Sequence, residues 1–576
     1  MLVPGLGVGG RVEVVWMSRA FFVVFLALSA CTSGGDRPGS ARDGGTDSGP
    51  LNRCDSMLDS DGDGLWDDYE TDDDRDGDGL PNHLDTDSDG DGIPDNEERG
   101  DRGGCDARRS DPDTFPDYLD NDSDNDGLSD REERERYFTD PYSADSDGDG
   151  YTDTAEIATG HDPNDATDGL DPRDFYVVLP YMEDPEYREL DFGTDILKAD
   201  VFFMMDRTGS MTGEVDQLRS GLRTLVTRIA TTIPDIGVGF GGFEDFDVRG
   251  GDCMIIFGME VCSTQYGADG DVPFELLSTI TTDRDRMVED VGLLRADGGG
   301  ATWASSTEAL YQAATGEGIG PWVPPQTCAV IPDEPGMRYG YPCFRPGALP
   351  ILVVLTDTSS RNGPMTSSSQ DYDASFFPAG AHPHTYMQAL TALTSIGARV
   401  FGVISGAEVS SPTAAAQAQE WAMTTGTVDA AGSPIFFMIS SDGTGLTDRV
   451  AEAIERLATE TPMDISTRTV DGDDVPVRDP GVDARLFIKE VRPTTAFSMA
   501  GIEIPDTVLI RDDVAFYGVT PGTRVTFEVK FLNDFVPSML TSQVFLAQII
   551  VVGNGVADLD TREVVIVVPA GSDPLI

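Results

Sequence analysis

Ala199-Asp200-Val201-Phe202-Phe203-Met204-Met205 runs directly into Asp206-Arg207-Thr208-Gly209-Ser210. The first seven residues have the length and apolarity of one buried strand. Behind the turn, Val215, Leu218, Leu222, Leu225, Val226 and Ile229 recur at three- and four-residue spacing, which predicts a helix with one apolar face. Asp206, Thr208 and Ser210 therefore fall where a strand gives way to a helix, at the carboxyl end of a sheet, where open α/β folds bind ligands. A set of oxygen ligands there suits a hard cation. Asp, Ser and Thr also cap helices, and these five residues alone fit either role.

Two later stretches complete the pattern. Asp297-Gly298-Gly299-Gly300-Ala301-Thr302 is a glycine-rich loop that ends in a hydroxyl before a helical pattern (Ala309, Leu310, Ala313). Ile351 to Thr356 is a second apolar strand, with Asp357 at its end. Residues 197–462 thus resemble a von Willebrand factor A (VWA) domain, a doubly wound, Rossmann-like α/β fold. That family carries a metal-ion-dependent adhesion site (MIDAS) built from a D-x-[ST]-x-S turn, a distant Thr and a distant Asp. By position the resemblance implies Asp206, Thr208, Ser210, Thr302 and Asp357 as ligands of Mg²⁺ or Mn²⁺, with a carboxylate from a protein partner completing the shell. Thr208 stands where Ser is commoner and Thr358 where Gly often follows the Asp; neither change removes a ligand.

The charge is concentrated elsewhere. The chain has 576 residues and a formal net charge of −64. Residues 55–168 hold 41 Asp and Glu against 8 Arg and no Lys. This excludes nucleic acid as a partner, because nothing basic could meet phosphates. The acids are regularly spaced. Asp59, Asp61, Asp63, Gly64, Leu65, Asp67 and Glu70 occupy positions 1, 3, 5, 6, 7, 9 and 12 of a calcium-loop frame, in which the residue-7 carbonyl is also a ligand. The frame recurs at Asp74, Asp76, Asp78, Leu80 and Asp85. It recurs again at Asp87, Asp89, Asp91, Ile93, Asp95 and Glu98; at Asp122, Asp124, Asp126, Leu128, Asp130 and Glu133; and at Asp145, Asp147, Asp149, Tyr151, Asp153 and Glu156. A degenerate copy, Arg109 to Asp120, is expected to bind weakly or not at all. The loops begin 15, 13, 22, 13 and 23 residues apart. The single residue between Asp85 and Asp87 leaves no room for the helices of an EF-hand pair. The spacing resembles thrombospondin type-3 repeats, in which the chain wraps a row of Ca²⁺ ions with almost no apolar core. The resemblance implies an array over 54–170 that is stiff with calcium and disordered without it.

The amino terminus reads as a targeting segment. Met17-Ser18-Arg19 precedes the apolar run Ala20–Ala30, which is too short to span a bilayer. Leu28-Ser29-Ala30-Cys31 looks like a bacterial lipobox, with Cys31 the lipidated residue and 32–53 a flexible tether. This implies an exported outer-membrane lipoprotein attached by its lipid alone. Export suits disulfides. Of the remaining cysteines, nearest-neighbour pairing would join Cys54 to Cys105, Cys253 to Cys262 and Cys328 to Cys343, one of 15 connectivities.

Residues 463–576 alternate apolar and β-branched runs at Arg485–Val491, Thr507–Ile510, Thr523–Phe531, Val544–Val552 and Glu563–Val568, which predicts an antiparallel β-sandwich. The connecting strands in 171–196 are candidates to complete it, with the VWA domain inserted. Within that domain, two long segments, Glu244–Asp271 and Thr358–Pro383, are expected to frame the metal, and Gly318–Ala348 is expected on the opposite face. His382-Pro383-His384 reads as surface loop. Hydrolase, Walker and dinucleotide motifs are missing, so no enzyme is expected. The expected function is metal-dependent adhesion or cell-surface binding. The alternatives are an accessory, chelatase-like subunit of an envelope complex and a purely structural envelope protein.

Overall fold

The computed structural model describes residues 56–569, except 113–114, 171–174, 257–258, 300–301, 332–335, 368–369, 407–413, 473–481 and 540. The targeting segment, Cys31, the tether and Cys54 lie outside the described residues.

The head is a six-stranded sheet in the order Phe437–Ile439, Arg399–Ser405, Leu349–Thr356, Lys198–Asp206, Asp235–Phe243, Glu275–Thr281. The first five strands are parallel and the last is antiparallel. The central strand is buried on both faces, which explains its unbroken apolar run. Val201, Phe203 and Met205 point to one side, packing with Leu218 and Leu222 of helix Thr212–Ile229 and Val450 of helix Leu446–Glu460. Phe202 and Met204 point to the other, packing with Leu310 of helix Ser306–Thr315 and Leu393 of helix Tyr386–Ser395. The paired methionines are core residues.

Deep in the sheet, at the end away from the turn, Asp200 and Arg345 form a fully buried ion pair at 2.7 Å, and Arg345 also meets Asp235 at 2.6 Å. Residues 345–348 thus lie where the sequence expectation put them. The start of the same segment does not. Trp322 packs edge-on against Phe246 (5.0 Å) and Phe377, and Pro324 and Gln326 line a cleft with Arg207 and Gly298, beside the turn. The segment runs from one end of the sheet to the other because Trp322 and Val323 bury apolar surface against the framing loops.

Two further sheets flank the head in sequence. One has six strands, in the order Tyr176–Val178, Ala557–Val568, Gln543–Gly553, Met463–Asp471, Ala515–Val519, Ile510–Arg511. The other has three, in the order Ile488–Phe497, Arg524–Phe531, Glu186–Gly193. Their apolar sides meet at Phe516 and Phe527, edge to face at 5.5 Å. Each sheet contains one strand from before the head and others from after it. Strands Met463–Asp471 and Ala515–Val519 were not legible as strands. Thr507–Ile510 is largely a turn, because the Pro505 carbonyl accepts from both Val508 N and Leu509 N; only Ile510–Arg511 pairs.

Cys328 and Cys343 are disulfide-bonded. Cys105 is also in a disulfide. Cys253 and Cys262 stand opposite one another in the hairpin Arg249–Ile256/Met259–Gln265. Among the described residues no helix is long and apolar enough to cross a membrane.

Candidate metal sites in the head and the acidic array

Parallel pairing puts the ends of the strands Lys198–Asp206 and Leu349–Thr356 side by side. Asp206, fully buried, accepts the Thr356 hydroxyl at 2.7 Å on Oδ2 and the Thr208 N–H at 3.0 Å on Oδ1. The Thr208 and Ser210 hydroxyls lie 3.1 Å apart. The glycine loop is stitched to this turn by reciprocal bonds: Gly209 N donates to Gly298 O, and Gly298 N to Arg207 O, each 3.1 Å. Thr302 is tied to the segment after Asp357, since its carbonyl accepts the Thr358 hydroxyl at 2.8 Å. All five predicted head ligands therefore belong to three segments joined at one end of the sheet. Ser210 and Thr302 are exposed, and Thr208 and Asp357 are half-buried. Burial raises the Asp206 carboxyl to about 6, its hydrogen bonds oppose the rise, and the neighbouring Asp357 charge adds to it.

The glycines of the loop answer to close approach. A Cβ on Gly298 would lie 1.7 Å from Glu244 Oε1, and Gly299 has φ +88° with Thr208 Cγ2 2.5 Å from the place of its Cβ.

A buried polar cluster that no local sequence pattern marks supports this end of the sheet. Arg361, 5% exposed, donates from Nε to Asp245 Oδ2 at 2.8 Å, and its guanidinium stacks over Tyr266 (4.7 Å) and Trp303 (5.0 Å). Tyr372 donates its hydroxyl to the other Asp245 oxygen. One cation thereby holds the insert, the residue after Thr302 and the loop after Asp357. His384 is not a plain surface residue: its ring nitrogen Nδ1 is 3.0 Å from the buried carboxylate of Glu308, and its ring stacks on Tyr311 at 3.5 Å. Beside the turn opens a cleft of about 600 Å³ lined by Arg207, Glu244, Asp271, Glu275 and Trp322 among others.

In the acidic array the five frames share one construction. The fifth residue accepts the N–H of the seventh: Asp63 from Leu65 at 2.7 Å, Asp78 from Leu80 at 2.8 Å, Asp91 from Ile93 at 2.6 Å, Asp126 from Leu128 at 2.8 Å, Asp149 from Tyr151 at 3.0 Å. The ninth residue accepts the N–H of the second, as in Asp67 from Ser60, Asp95 from Ser88, Asp130 from Ser123 and Asp153 from Ser146. The carboxylates of Asp59, Asp61 and Asp63 converge, as do those of Asp74, Asp76 and Asp78, and of Asp87, Asp89 and Asp91. Buried carboxylate oxygens of Asp63, Glu70, Asp91, Glu98, Glu133 and Glu156 have no hydrogen-bond partner. Such oxygens fit a bound cation, since buried polar groups are otherwise satisfied.

The loops are not equivalent. Leu65, Ile93 and Leu128 are buried, whereas Leu80 and Tyr151 are exposed. Asp117 of the degenerate copy forms a 2.6 Å ion pair with Arg108, the residue just before that copy, whose guanidinium lies over Tyr142 at 3.2 Å.

Residues 87–99, 122–141 and 145–166 match the family model for the bacterial TSP3 repeat. Three stretches of the acidic array are thus similar to the bacterial TSP3 repeat, and the array stands next to a doubly wound α/β head. No curated protein matches the chain. Among solved structures it is similar to the von Willebrand factor type A protein from Catenulispora acidiphila, at 11% identity over 68% of this chain and 71% of that one, with a TM-score of 0.26. It is also similar to the pilus adhesin SpaC from Lactobacillus rhamnosus GG, at 13% identity over 67% of this chain and 46% of that one, TM-score 0.26. The chain thus spans under half the length of that adhesin. A third similar structure is proximal thread matrix protein 1 from the mussel byssus, at 10% identity over 48% of this chain and 51% of that one, TM-score 0.25.

Proposed function

We propose that the VWA head binds a protein partner through a divalent cation, Mg²⁺ or Mn²⁺, held by Asp206, Thr208, Ser210, Thr302 and Asp357, and that the TSP3 repeats bind Ca²⁺ and form a stiff mount for it. The observation that carries the reading is the joining of the three ligand-bearing segments at the carboxyl end of the sheet, with Thr208 and Ser210 hydroxyls 3.1 Å apart and Ser210 and Thr302 open to solvent. A hard cation there leaves a position for a partner's Asp or Glu, and the function is adhesion or cell-surface binding with no catalysis. The Arg361 cluster fixes the rim, and the acidic side chains Glu244, Asp271 and Glu275 in the adjoining cleft favour a partner with basic residues beside its carboxylate. The two carboxyl-terminal sheets form a β-sandwich into which the head is inserted, and lipidation of Cys31 anchors the protein to the outer membrane.

The test is binding of the Mg²⁺-loaded full chain to an immobilised Glu-bearing peptide, with the Gln version as control. The reading predicts binding that needs Glu, is lost in chelator and is lost in Asp206→Asn. Equal binding to both peptides, or indifference to chelator, would contradict it.

A further inference from the structure

The acidic array pairs its loops in an order the sequence does not follow. The ninth residue of one frame meets the fifth and twelfth residues of an earlier one, skipping the loop between. Carboxylate oxygens of Asp63 and Glu70 lie within 4.8 Å of one of Asp95, and those of Asp91 and Glu98 within 4.8 Å of one of Asp130. All six residues are buried, and Glu70, Asp95, Glu98 and Asp130 are completely so. Both carboxylate oxygens of Glu70 and both of Glu98 are without any hydrogen-bond donor, as are Oδ2 of Asp63, Asp91 and Asp130. Two ligands of one Ca²⁺ lie up to about 5 Å apart, so each trio fits around a single ion. Three buried carboxylates in that space, with both oxygens of the Glu and one Oδ of Asp63, Asp91 and Asp130 left without a donor, must be neutralised to stay ionised together, and a cation does this.

The junctions are held by other contacts too. Arg99 donates from Nε to the Asp63 carbonyl at 3.0 Å, and Arg131 to the Asp91 carbonyl at 2.6 Å, so each arginine crosses the same junction on backbone and leaves the carboxylates free. Leu65, Ile93 and Leu128, the seventh residues of these three frames, are the buried ones. The skipped frames expose theirs or, in the copy at 109–120, pair Asp117 with Arg108.

We propose that Asp95 and Asp130 act in trans: each closes a junction site for a hard divalent cation, with Asp63 and Glu70 in the first case and with Asp91 and Glu98 in the second. This rests on the reading of the frames as cation loops. Because Ser88 holds Asp95 from within its own loop by N–H (2.8 Å) and hydroxyl (2.6 Å), filling the first junction orders the Asp87–Glu98 loop as well. Asp91 and Asp63 each belong to a loop trio and to a junction trio, so neighbouring ions share a ligand and binding along the three frames is linked.

Trp66 is the eighth residue of the first frame and reports on it. The experiment is a Tb³⁺ titration of the full chain, exciting tryptophan, with the first-frame signal defined as that lost in Trp66→Phe. Asp95→Asn is expected to weaken the Trp66-dependent signal at least tenfold although residue 95 lies in another loop. Glu98→Gln, which removes a ligand of the second junction and of its own loop but none of the first junction, is expected to leave it within threefold. An unchanged signal in Asp95→Asn, or an equal loss in both variants, would overturn the trans assignment. Lack of any Trp66-dependent signal in the unaltered chain would instead remove the cation-loop reading beneath it.

Discussion

Glu132 of the repeat array accepts two hydrogen bonds from Ser542 of the carboxyl-terminal region, from its N–H at 2.9 Å and its hydroxyl at 3.2 Å, and both residues are buried. Glu132 immediately precedes Glu133, the closing residue of the Asp122–Glu133 frame. The array is thereby latched to the residue immediately before the strand Gln543–Gly553. Glu132→Ala leaves the Ser542 N–H without an acceptor, and a buried donor left unpaired costs about 1–3 kcal/mol. Thermal unfolding of the full chain in excess calcium should show that loss in the carboxyl-terminal transition, and calcium removal should lower the same transition in the unaltered protein.

Without cations the array is a set of crowded, buried acids. Burial first, then neighbouring carboxylates, raises Glu70 to about 9, and burial raises Asp130 to about 8 and Asp95 to about 7. These groups hold protons in the folded state that the unfolded chain gives up, so their contribution to stability is present below the ordinary carboxyl range and is lost as pH rises through about 7 to 9. Calcium-free protein, prepared by dialysis, should have more ordered circular dichroism at pH 5 than at pH 9. Saturating calcium should abolish the difference, because a cation takes over the role of the protons.

Gly298→Ala tests the glycine loop. The added methyl would meet the buried Glu244 carboxylate, so either that side chain gives up the Val272 N–H it accepts or the loop moves away from Arg207 and Thr208, and both disturb the rim of the site. Mn²⁺ affinity of the head should fall at least tenfold, while the far-ultraviolet circular dichroism stays that of the unaltered chain.

Arg361→Ala strands the Asp245 carboxylate, which is 1% exposed, without its cation. Breaking one side of a buried pair costs about 3–5 kcal/mol. Chemical denaturation should show a loss of that size in the head, with weaker Mn²⁺ binding, since the same guanidinium stacks on Trp303 beside Thr302. Arg361→Lys should recover only part of it, because an ammonium cannot both pair with Asp245 and cover the rings of Tyr266 and Trp303 as a guanidinium does.

Much of this was legible in the chain, for physical reasons. A central parallel strand is buried on both faces, so Ala199–Met205 announced itself as an unbroken apolar run. The five acidic frames were legible because glycine must sit sixth: Gly64, Gly79, Gly92, Gly127 and Gly150 all have φ between +97° and +105°. What stayed hidden depends on contacts between distant residues. Asp95 looks like any ninth residue until the fold sets it against Glu70. Arg361 sits in a polar loop, and nothing local says that it is buried. Met463–Asp471 lies in the middle of its sheet, between strands Ala515–Val519 and Gln543–Gly553, yet buries few of its side chains, so its apolar signal is weak. Trp322 was placed at the wrong end of the sheet because a long loop between two located elements gives no information on its path.

The central claim is a cation held at the end of the strand Lys198–Asp206. The most direct test is calorimetric titration of Mn²⁺ into the full chain, with the array already saturated by calcium, beside Asp206→Asn. The account predicts one Mn²⁺ site in the unaltered chain and its loss in the variant, with the calcium-dependent circular dichroism unchanged. The same number of sites and the same affinity in both would contradict it.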